Sequence, residues 1–374
     1  MFTLPMSRRA LLACVGLALA PCLASADDKN NEVESGWNHA FYEPHTLVSD
    51  GSVPTDVTDV QLKNAWGIAF NPQGFAWIAD NHTGLSTLYD GKGAKNPLVV
   101  KIPPAPGGTQ GSPTGIVFSG GTDFVVKGTT AAGADASGPA RFIFASEDGV
   151  IAGWAPNVNT ARAFIAKDNS PSHAVYKGLA FGADGTRHLL YAADFHNARV
   201  DVWDGTFTAV TLPAGAFKDP YIPHGYAPFG IQAINGDLVV TYAKQDDAKV
   251  DNVAGAGLGF VNVYDPTGKL VQRFAARGAL NAPWGVALAP SSFGRFGGTL
   301  LIGNFGDGTI NAYGPISGRF LGSLRDKQGK RIKLDGLWGI QFGNGLLSQD
   351  TNALFAAAGP DEENGGTYTV IRAH

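Results

Sequence analysis

The mature chain expected from the sequence has no cysteine. The 374 residues include two cysteines, Cys14 and Cys22, and both precede the cleavage site described below. A chain without thiols forms no disulfide, binds no metal through cysteine and has no cysteine nucleophile. Packing alone must therefore hold the fold together.

Charge is also scarce, at 16% of the residues, and the formal net charge is only −4. Lys and Arg are scattered and form no basic stripe, which argues against a nucleic-acid partner. Nucleophile-elbow and phosphate-loop motifs are missing. No apolar run is long enough to span a membrane. The sequence therefore predicts neither a nucleic-acid partner nor a membrane span.

Residues 1–26 have the pattern of a cleavable signal peptide. Arg8 and Arg9 precede an apolar stretch at 10–20, and Ala24-Ser25-Ala26 is a small-residue cleavage site. The stretch around the two arginines partly matches the twin-arginine signal, so that route and ordinary secretion both stay open. Cleavage changes the formal net charge to −6. We expect an exported protein, periplasmic or extracellular, with a flexible lead at 27–44.

Glycine, in contrast, is abundant, with 50 residues, and one glycine phrase recurs six times. In most copies a bulky residue precedes Gly and an apolar run follows, as in Trp66-Gly67-Ile68-Ala69-Phe70. The six glycines are separated by 48, 63, 52, 55 and 54 residues and are Gly67, Gly115, Gly178, Gly230, Gly285 and Gly339. Such a period, filled with short strands and tight turns, is typical of β-propellers. The sequence predicts an all-β, six-bladed β-propeller: one domain over residues 45–374, expected to be a monomer.

A lone strand signal, Thr46-Leu47-Val48, precedes the first repeat. In propellers such a strand often completes the last blade, which closes the ring and removes exposed sheet edges. We therefore predict that the N-terminal strand closes the last blade. The second repeat contains a Gly-, Ala-, Ser- and Thr-rich stretch at 119–140, predicted to be a long loop with a weak strand at 124–126.

Two sets of residues are predicted to meet at one mouth of the central channel, because chain direction alternates between neighbouring strands. The first set precedes the six glycines and consists of Trp66, Thr114, Lys177, Phe229, Trp284 and Trp338. The second set follows the second strands or enters the first strands, and it includes Glu147 and Glu363. The site candidates chosen from it are Asp80, Asn81, His82, Asp194, His196, His224, Asn304 and Asp307. A face rich in carboxylates, amides, imidazoles and aromatics predicts binding of an unknown small molecule or envelope protein.

Each candidate also has a structural explanation. Asp and Asn at strand ends commonly cap turns through local hydrogen bonds. Large residues alternate with small ones along each phrase, so Trp66, Trp284 and Trp338 suit packing between blades. Lys177 is harder to assign because a buried lysine needs a partner. Exposure at the mouth, pairing with a carboxylate such as Asp194 and a functional role all stay open.

Longer motifs surround the repeats. They are Leu47-Val48-Ser49-Asp50 with Asn64-Ala65-Trp66-Gly67, and the segments 142–149, 191–195 and 304–308. Together these motifs resemble a family of uncharacterised exported bacterial proteins, and the resemblance covers nearly all of the mature chain. It implies a six-bladed propeller and brings no agreed activity.

More distantly, the repeats resemble NHL-type propellers and the calcium-dependent lactonase and phosphotriesterase propellers. The second resemblance implies a metal on Glu, Asp and Asn side chains, some of them directly before the glycine of the first strand. Here those positions hold Trp, Thr, Lys, Phe, Trp and Trp, whereas calcium needs several oxygen ligands. A calcium hydrolase of that type is therefore disfavoured.

We expect a binding protein without catalysis and without a cofactor, whose catalytic residues are accordingly unknown. The alternative is a propeller hydrolase or lyase that uses Asp80, His82, Asp194, His196 and Lys177. His82, His196 and His224 are weak candidates for metal ligands, since imidazoles near carboxylates suit transition metals. Calcium or a transition metal thus stays open as a cofactor of the alternative.

Overall fold

The computed structural model of the protein describes residues 40–374, apart from residues 56 and 186. The predicted signal peptide (1–26) and most of the predicted lead (27–39) lie outside the described residues. Strand β1 runs over Tyr42–Ser49, so residues 42–44, expected in the lead, belong to a strand. Along the described residues, no helix has the length and hydropathy needed to cross a bilayer.

The remaining strands form antiparallel sheets that follow one another along the chain, one sheet for each repeat. Blade 1 contains β2 (Ala65–Phe70), β3 (Ala76–Asp80), β4 (Leu85–Tyr89) and β5 (Val100–Lys101). Blade 2 contains β6 (Pro113–Phe118), β9 (Phe142–Ser146), β10 (Val150–Trp154) and β11 (Phe164–Asp168), with a separate hairpin of β7 (Val125–Thr129) and β8 (Asp135–Pro139). Blade 3 contains β12 (Tyr176–Asp184), β13 (Arg187–Asp194) and β14 (Arg199–Asp204).

The second half of the ring has the same order. Blade 4 contains β15 (Tyr226–Ile234), β16 (Asp237–Gln245), β17 (Asn252–Val253), β18 (Phe260–Tyr264) and β19 (Leu270–Ala276). Blade 5 contains β20 (Pro283–Leu288), β21 (Leu300–Asn304), β22 (Ile310–Tyr313) and β23 (Phe320–Ser323). Blade 6 contains β24 (Leu337–Phe342), β25 (Leu354–Ala358), β26 (Thr367–Ala373) and β1. Short 3-10 helices lie at Asn81–Thr83, Ser170–Ser172 and Gly294–Phe296. The predicted all-β, six-bladed β-propeller is confirmed.

Strand β1 closes the ring, as predicted. It pairs antiparallel with β26 from Tyr42 opposite Ala373 to Ser49 opposite Thr367. The Tyr42 hydroxyl donates to the Phe293 carbonyl oxygen at 3.2 Å and accepts from a backbone N–H of the neighbouring blade 5. The first and last parts of the described chain are therefore joined through one sheet.

The repeated glycine phrase is a β-bulge in every blade. In blade 1, Trp66 and Gly67 together lie opposite Ala79 of the second strand, and the other blades show a register shift at the same place. A bulge breaks the two-residue alternation. Side chains along the phrase therefore do not follow the simple alternation expected from the sequence: Trp66 points to the propeller axis, while Ile68 and Phe70 pack between blades 1 and 6.

Each phrase requires glycine because the backbone of the next blade passes very close. A Cβ at Gly178 would lie 2.9 Å from the carbonyl oxygen of Phe229, and one at Gly339 would lie 2.7 Å from that of Trp66. Such distances leave no room for a side chain. The same contact joins Gly67 to Thr114, Gly230 to Trp284 and Gly285 to Trp338, while Gly115 meets the backbone of Leu179. The six glycines thus allow the six first strands to close around the axis.

The hydrophobic core is divided between the blade interfaces and the axis. One buried cluster lies at each of the six interfaces between neighbouring blades, and a seventh surrounds the axis.

Blade 2 differs from the prediction. Its 119–140 stretch forms the β7–β8 hairpin of two paired strands, where a long loop with one weak strand at 124–126 was expected. Phe124, just before β7, is buried against Phe207 of blade 3. The hairpin therefore covers an interface.

Candidate functional site

The starts of the first strands and the ends of the second strands lie at the same end of the channel. Ala65 pairs with Asp80, Pro283 with Asn304 and Leu337 with Ala358. We call this end the mouth. It brings together the six residues that precede the glycines, as the alternation of strand direction predicts.

Aromatic side chains fill the axis at the mouth. The rings of Trp66 and Trp338 stack with centroids 3.6 Å apart, and Phe305 also stacks on Trp338, with centroids 4.0 Å apart. Trp284 meets Trp66 edge-on at 6.4 Å, and Phe229 is tilted against Trp338 at 5.7 Å. We call these five rings the aromatic plug. Trp66, Phe229 and Trp338 are buried, whereas Trp284 and Phe305 are partly exposed.

Below the plug, the channel is nearly closed. Its cavity has a volume of about 30 Å³ and is lined mainly by the aliphatic residues that follow the six glycines. This volume holds about one water molecule. No ligand of ordinary size therefore passes through the ring, and we call the region above the plug, with the plug as its floor, the bowl.

Lys177 is the buried cation of this bowl, with an exposed fraction of 1%. Its ammonium group forms an ion pair with Glu147 of blade 2, and a second with Asp251 of blade 4 at 3.0 Å. It also lies 5.2 Å from the centroid of the Trp66 ring, a cation–π arrangement. Burial alone would lower the pKa of Lys177, but Glu147 and Asp251 raise it above its ordinary value. Lys177 is therefore protonated.

Asp194, considered above as a partner of Lys177, does not pair with it. Its carboxylate accepts the backbone N–H of Val175 at 3.2 Å and the side-chain N–H of Asn197 at 2.7 Å. It also pairs with Arg199 at 3.3 Å. Asp194 therefore caps the turn of its own blade, and the partners of Lys177 come from the two neighbouring blades.

Two buried asparagines connect Lys177 to the other side of the mouth. Asn81 donates to Glu147 at 2.8 Å, and Asn64 donates to Glu363 at 2.7 Å. The two amides meet at 3.4 Å. Trp338 donates its indole N–H to Asn64 at 3.0 Å, and Trp284 donates to the Lys177 carbonyl oxygen at 2.9 Å. We call Asn64, Asn81, Glu147, Lys177, Asp251 and Glu363 the Lys177 cluster. Together with Trp284, it contains a residue from every blade.

Glu363 lies in an unusual turn of blade 6. Asp361, Glu362 and Glu363 all have positive φ angles, of 59°, 51° and 68°. Left-handed backbone is costly for non-glycine residues and is found more often than average at functional sites. Burial of Glu363 raises the pKa of its carboxyl group above the ordinary range; hydrogen bonding by Asn64 opposes that rise, and Glu147 adds to it.

Asp80 lies under the mouth, in the blade interior. It is fully buried, and neither carboxyl oxygen has a hydrogen-bond partner within the described residues. Burial raises its pKa far above the ordinary range, opposed by nearby Thr87. Burial of Asp80 therefore favours the protonated form of its carboxyl group.

Two further candidates close a turn of blade 5. Asn304 donates to the Ala279 carbonyl oxygen at 2.8 Å and to Asp307 at 3.2 Å. Asp307 also accepts from the Thr309 hydroxyl at 2.7 Å. These bonds have the local capping pattern considered for such residues above.

Within the described residues, the side chains of the histidine candidates make no hydrogen bond or ion pair with the Lys177 cluster. His82 and His224 are exposed and His196 is partly exposed, with its ring 6.1 Å from that of His173. Over residues 40–374 as described, no group of three or more His, Cys, Asp or Glu side chains has an arrangement suited to a metal ion.

Asn64 and Asp251 were not among the residues that the sequence placed at the mouth. Glu147 and Glu363 were placed there, after second strands, but were not chosen as site candidates, because position alone does not separate them from the chosen ones. Asn64 directly precedes a first strand. Asp251 ends a long turn whose tip, Asp246–Asp251, is closed by a backbone hydrogen bond. The length of this turn is the signal that it reaches across the mouth.

Comparison with solved structures supports the fold. A protein of unknown function from Bacteroides thetaiotaomicron matches with a TM-score of 0.56 at 11% identity, over 90% of this chain and 76% of that one. Virginiamycin B lyase from Staphylococcus aureus matches with a TM-score of 0.50 at 12% identity, over 89% and 99%. The soluble aldose sugar dehydrogenase of Escherichia coli matches with a TM-score of 0.51 at 14% identity, over 88% and 99%. Such low identities show the fold alone.

Sequence comparison identifies viral relatives, while no protein-family model matches the chain. Uncharacterized protein R648 of Acanthamoeba polyphaga mimivirus is 33% identical over 333 residues, which cover 87% of this chain and 78% of that protein. Uncharacterized protein L690 of the same virus is 31% identical over 309 residues, or 80% and 79% of the two chains. The bacterial exported family expected from the motifs stays a prediction. Because both matches extend along most of each chain, the protein belongs to the family of these mimivirus proteins.

Proposed function

We propose that the protein binds a small molecule in the mouth and does not catalyse a reaction there. The observation that carries this proposal is the Lys177 cluster, in which charged and amide side chains from separate blades converge above an aromatic floor. Packing does not require such a group, because burying a charged pair stabilises a fold no better than apolar side chains do. Convergent polar groups in an apolar bowl are typical of ligand sites.

The geometry favours a small molecule over an envelope protein. The side chains of Lys177 and Glu147 are only 2% and 22% exposed, so a flat protein surface would not reach them. Trp284 is partly exposed beside them and presents an aromatic surface to a ligand. A bowl with buried charges and one accessible ring suits a compact ligand.

Lys177 is unsuited to the catalytic role considered in the hydrolase or lyase alternative. A lysine acts as a nucleophile or base only when deprotonated, and the carboxylates beside Lys177 raise its pKa. Asp80 is buried, and Asp194 is held by its own turn. The lyase and the dehydrogenase named above share only the fold with this chain, so neither activity is transferred.

Thermal unfolding in the presence of a chemically mixed small-molecule library tests this proposal. We expect some compounds to raise the unfolding temperature of the wild type, since a ligand stabilises the state that binds it. Trp284→Phe should weaken these shifts, whereas His82→Ala, an exposed residue near the mouth but outside the cluster, should not. The proposal is wrong if no compound shifts the wild type, or if both variants respond as the wild type does.

We further propose export, which rests on the sequence of residues 1–26. Export predicts that the protein isolated from the periplasm or medium begins at Asp27, as N-terminal sequencing would show. Recovery of the intact N-terminus from the cytoplasm alone would contradict it.

A further inference from the structure

We propose that the ligand of the mouth is a small organic ammonium compound with an oxygen acceptor near its charge, such as an amino alcohol. This inference rests on the proposed binding function and specifies its ligand class. Two independent features carry it: an excess of carboxylates around one ammonium group, and a buried indole N–H without an acceptor.

The charged groups of the Lys177 cluster do not balance. Glu147 and Asp251 both pair with Lys177, so the single ammonium is already shared by two carboxylates. Glu363 is held by the amide of Asn64 at 2.7 Å, and no ion pair within the described residues neutralises it. A cation brought by the ligand would complete this pairing, whereas an anion would meet three carboxyl groups. Charge complementarity therefore favours a cationic ligand.

Lys177 itself shows how the mouth holds an ammonium group. Its Nζ lies against two carboxylates and 5.2 Å from the Trp66 ring centroid. Trp284, partly exposed and 6.4 Å from Trp66, offers a further aromatic face on the solvent side. Carboxylates combined with indole faces recognise ammonium groups by charge and by cation–π attraction. The mouth would thus hold the ammonium group of the ligand as it holds that of Lys177, with carboxylates and an indole face.

The indole N–H of Trp66 requires an oxygen acceptor. Trp66 is 1% exposed, and its Nε1 is buried with no hydrogen-bond partner among the described residues. An unpaired buried donor is costly, and this one belongs to the ring that Lys177 covers. A hydroxyl or ether oxygen of the ligand would accept from it. The carboxylate excess and this donor together select a compound with both an ammonium group and an oxygen.

The pH dependence of binding has a defined sign. The charged groups that face Glu363 are Lys177, Glu147 and Asp251, while Lys63 donates to the neighbouring Asn364 carbonyl oxygen. Burial raises the pKa of Glu363, and a cationic ligand prefers its ionised form. Affinity should therefore be low at acidic pH and should increase as the pH rises through that pKa.

Four matched probes test the ligand class by isothermal titration. Ethanolamine has both features, ethylammonium lacks the oxygen, ethylene glycol lacks the charge and glycolate reverses it. We expect ethanolamine to bind about threefold to tenfold tighter than ethylammonium, the range of one hydrogen bond. Glycolate and ethylene glycol should bind most weakly. Glu363→Gln should lower ethanolamine affinity at least about tenfold and abolish its pH dependence. The control is Glu362→Gln, an exposed carboxylate in the same turn, which should behave as the wild type.

The outcomes separate the ligand class from the binding function. If glycolate or ethylene glycol binds as tightly as ethanolamine, the ammonium class is wrong and binding at the mouth stands. Equal loss of affinity in Glu362→Gln and Glu363→Gln also overturns the class. If ethanolamine fails while library compounds still stabilise the protein through Trp284, the class is again wrong. If the library fails as well, both proposals fail.

Discussion

Replacing Lys177 by methionine should destabilise the protein, because it leaves a carboxylate of the mouth without its cation. Asp251 loses little, since its side chain is 70% exposed and surface ion pairs contribute about 0–1 kcal/mol. Glu147 is only 22% exposed, and breaking a buried pair costs about 3–5 kcal/mol. Glu147 keeps its hydrogen bond to Asn81, so the lower end of that range applies. We expect the free energy of unfolding to fall by about 3 kcal/mol.

Removing both charges together should restore most of this loss. In the double variant Lys177→Met with Glu147→Gln, the less exposed carboxylate is removed together with its cation, the largely exposed Asp251 stays hydrated, and the new amide still accepts from Asn81. Its free energy of unfolding should lie within about 1 kcal/mol of the wild type, which is at least about 2 kcal/mol above that of Lys177→Met. Urea unfolding followed by tryptophan fluorescence measures these values, provided that the transition is two-state.

Lys244→Met is the matched control, since Lys244 is exposed at the end of β16. It should change the free energy of unfolding by less than about 0.5 kcal/mol. The reasoning is refuted if Lys177→Met is as stable as the wild type, or if the double variant is as unstable as the single one. Either result would mean that the charges of the mouth act independently.

Burial raises the pKa of Asp80 in the folded state. The contribution of this carboxyl group to stability is therefore fully present at acidic pH, below its pKa in the unfolded chain, and is lost as the pH rises through its pKa in the folded protein. Asp80→Asn should therefore match the wild type in acid and unfold at a higher temperature in alkali by calorimetry, whereas the exposed Asp247→Asn should show no such trend. Gly230→Ala places a Cβ against the Trp284 carbonyl oxygen and should cost about 1–3 kcal/mol in urea unfolding; Gly74→Ala, whose nearest atom is 3.7 Å away, should cost nothing. Because the described residues form no metal-binding cluster, a chelator should leave the thermal unfolding temperature unchanged, and a drop would reveal a metal site.

The fold was predictable because the repeated glycine has one physical cause, which is the close approach of the backbone of the next blade. Each phrase needs glycine where the next first strand approaches, and this requirement recurs once per blade whatever the neighbouring side chains are. Thr46-Leu47-Val48 likewise identified the closing strand, since an unpaired strand before the first repeat has one open edge to join. The departures occur where a segment is an insertion: the β7–β8 hairpin belongs to no repeat, so the repeat pattern carries no information about it.

The site was less predictable because its contacts are made between blades. Asp194 was a reasonable partner for Lys177 on the grounds of sequence proximity, and Arg199 and Asn197 hold it instead. Glu147 and Asp251 are 30 and 74 residues away from Lys177. They reach it because the mouth of a propeller is narrow and brings the ends of separate blades together. A sequence pattern locates the mouth, but it does not show which turn crosses it.

The glycine phrase separates the requirements of the fold from those of the site. The glycine fixes how closely two blades approach, and the bulge directs the preceding side chain to the axis. Neither constraint depends on what that side chain is, and the six positions indeed hold Trp, Thr, Lys, Phe, Trp and Trp. Four aromatic residues there belong to the aromatic plug, Thr114 donates to the Tyr176 carbonyl oxygen at 2.7 Å, and Lys177 carries the charge. Residues of different chemistry can therefore occupy these positions without disturbing ring closure, so the fold alone says little about the chemistry of the mouth and the residues before the glycines say much more.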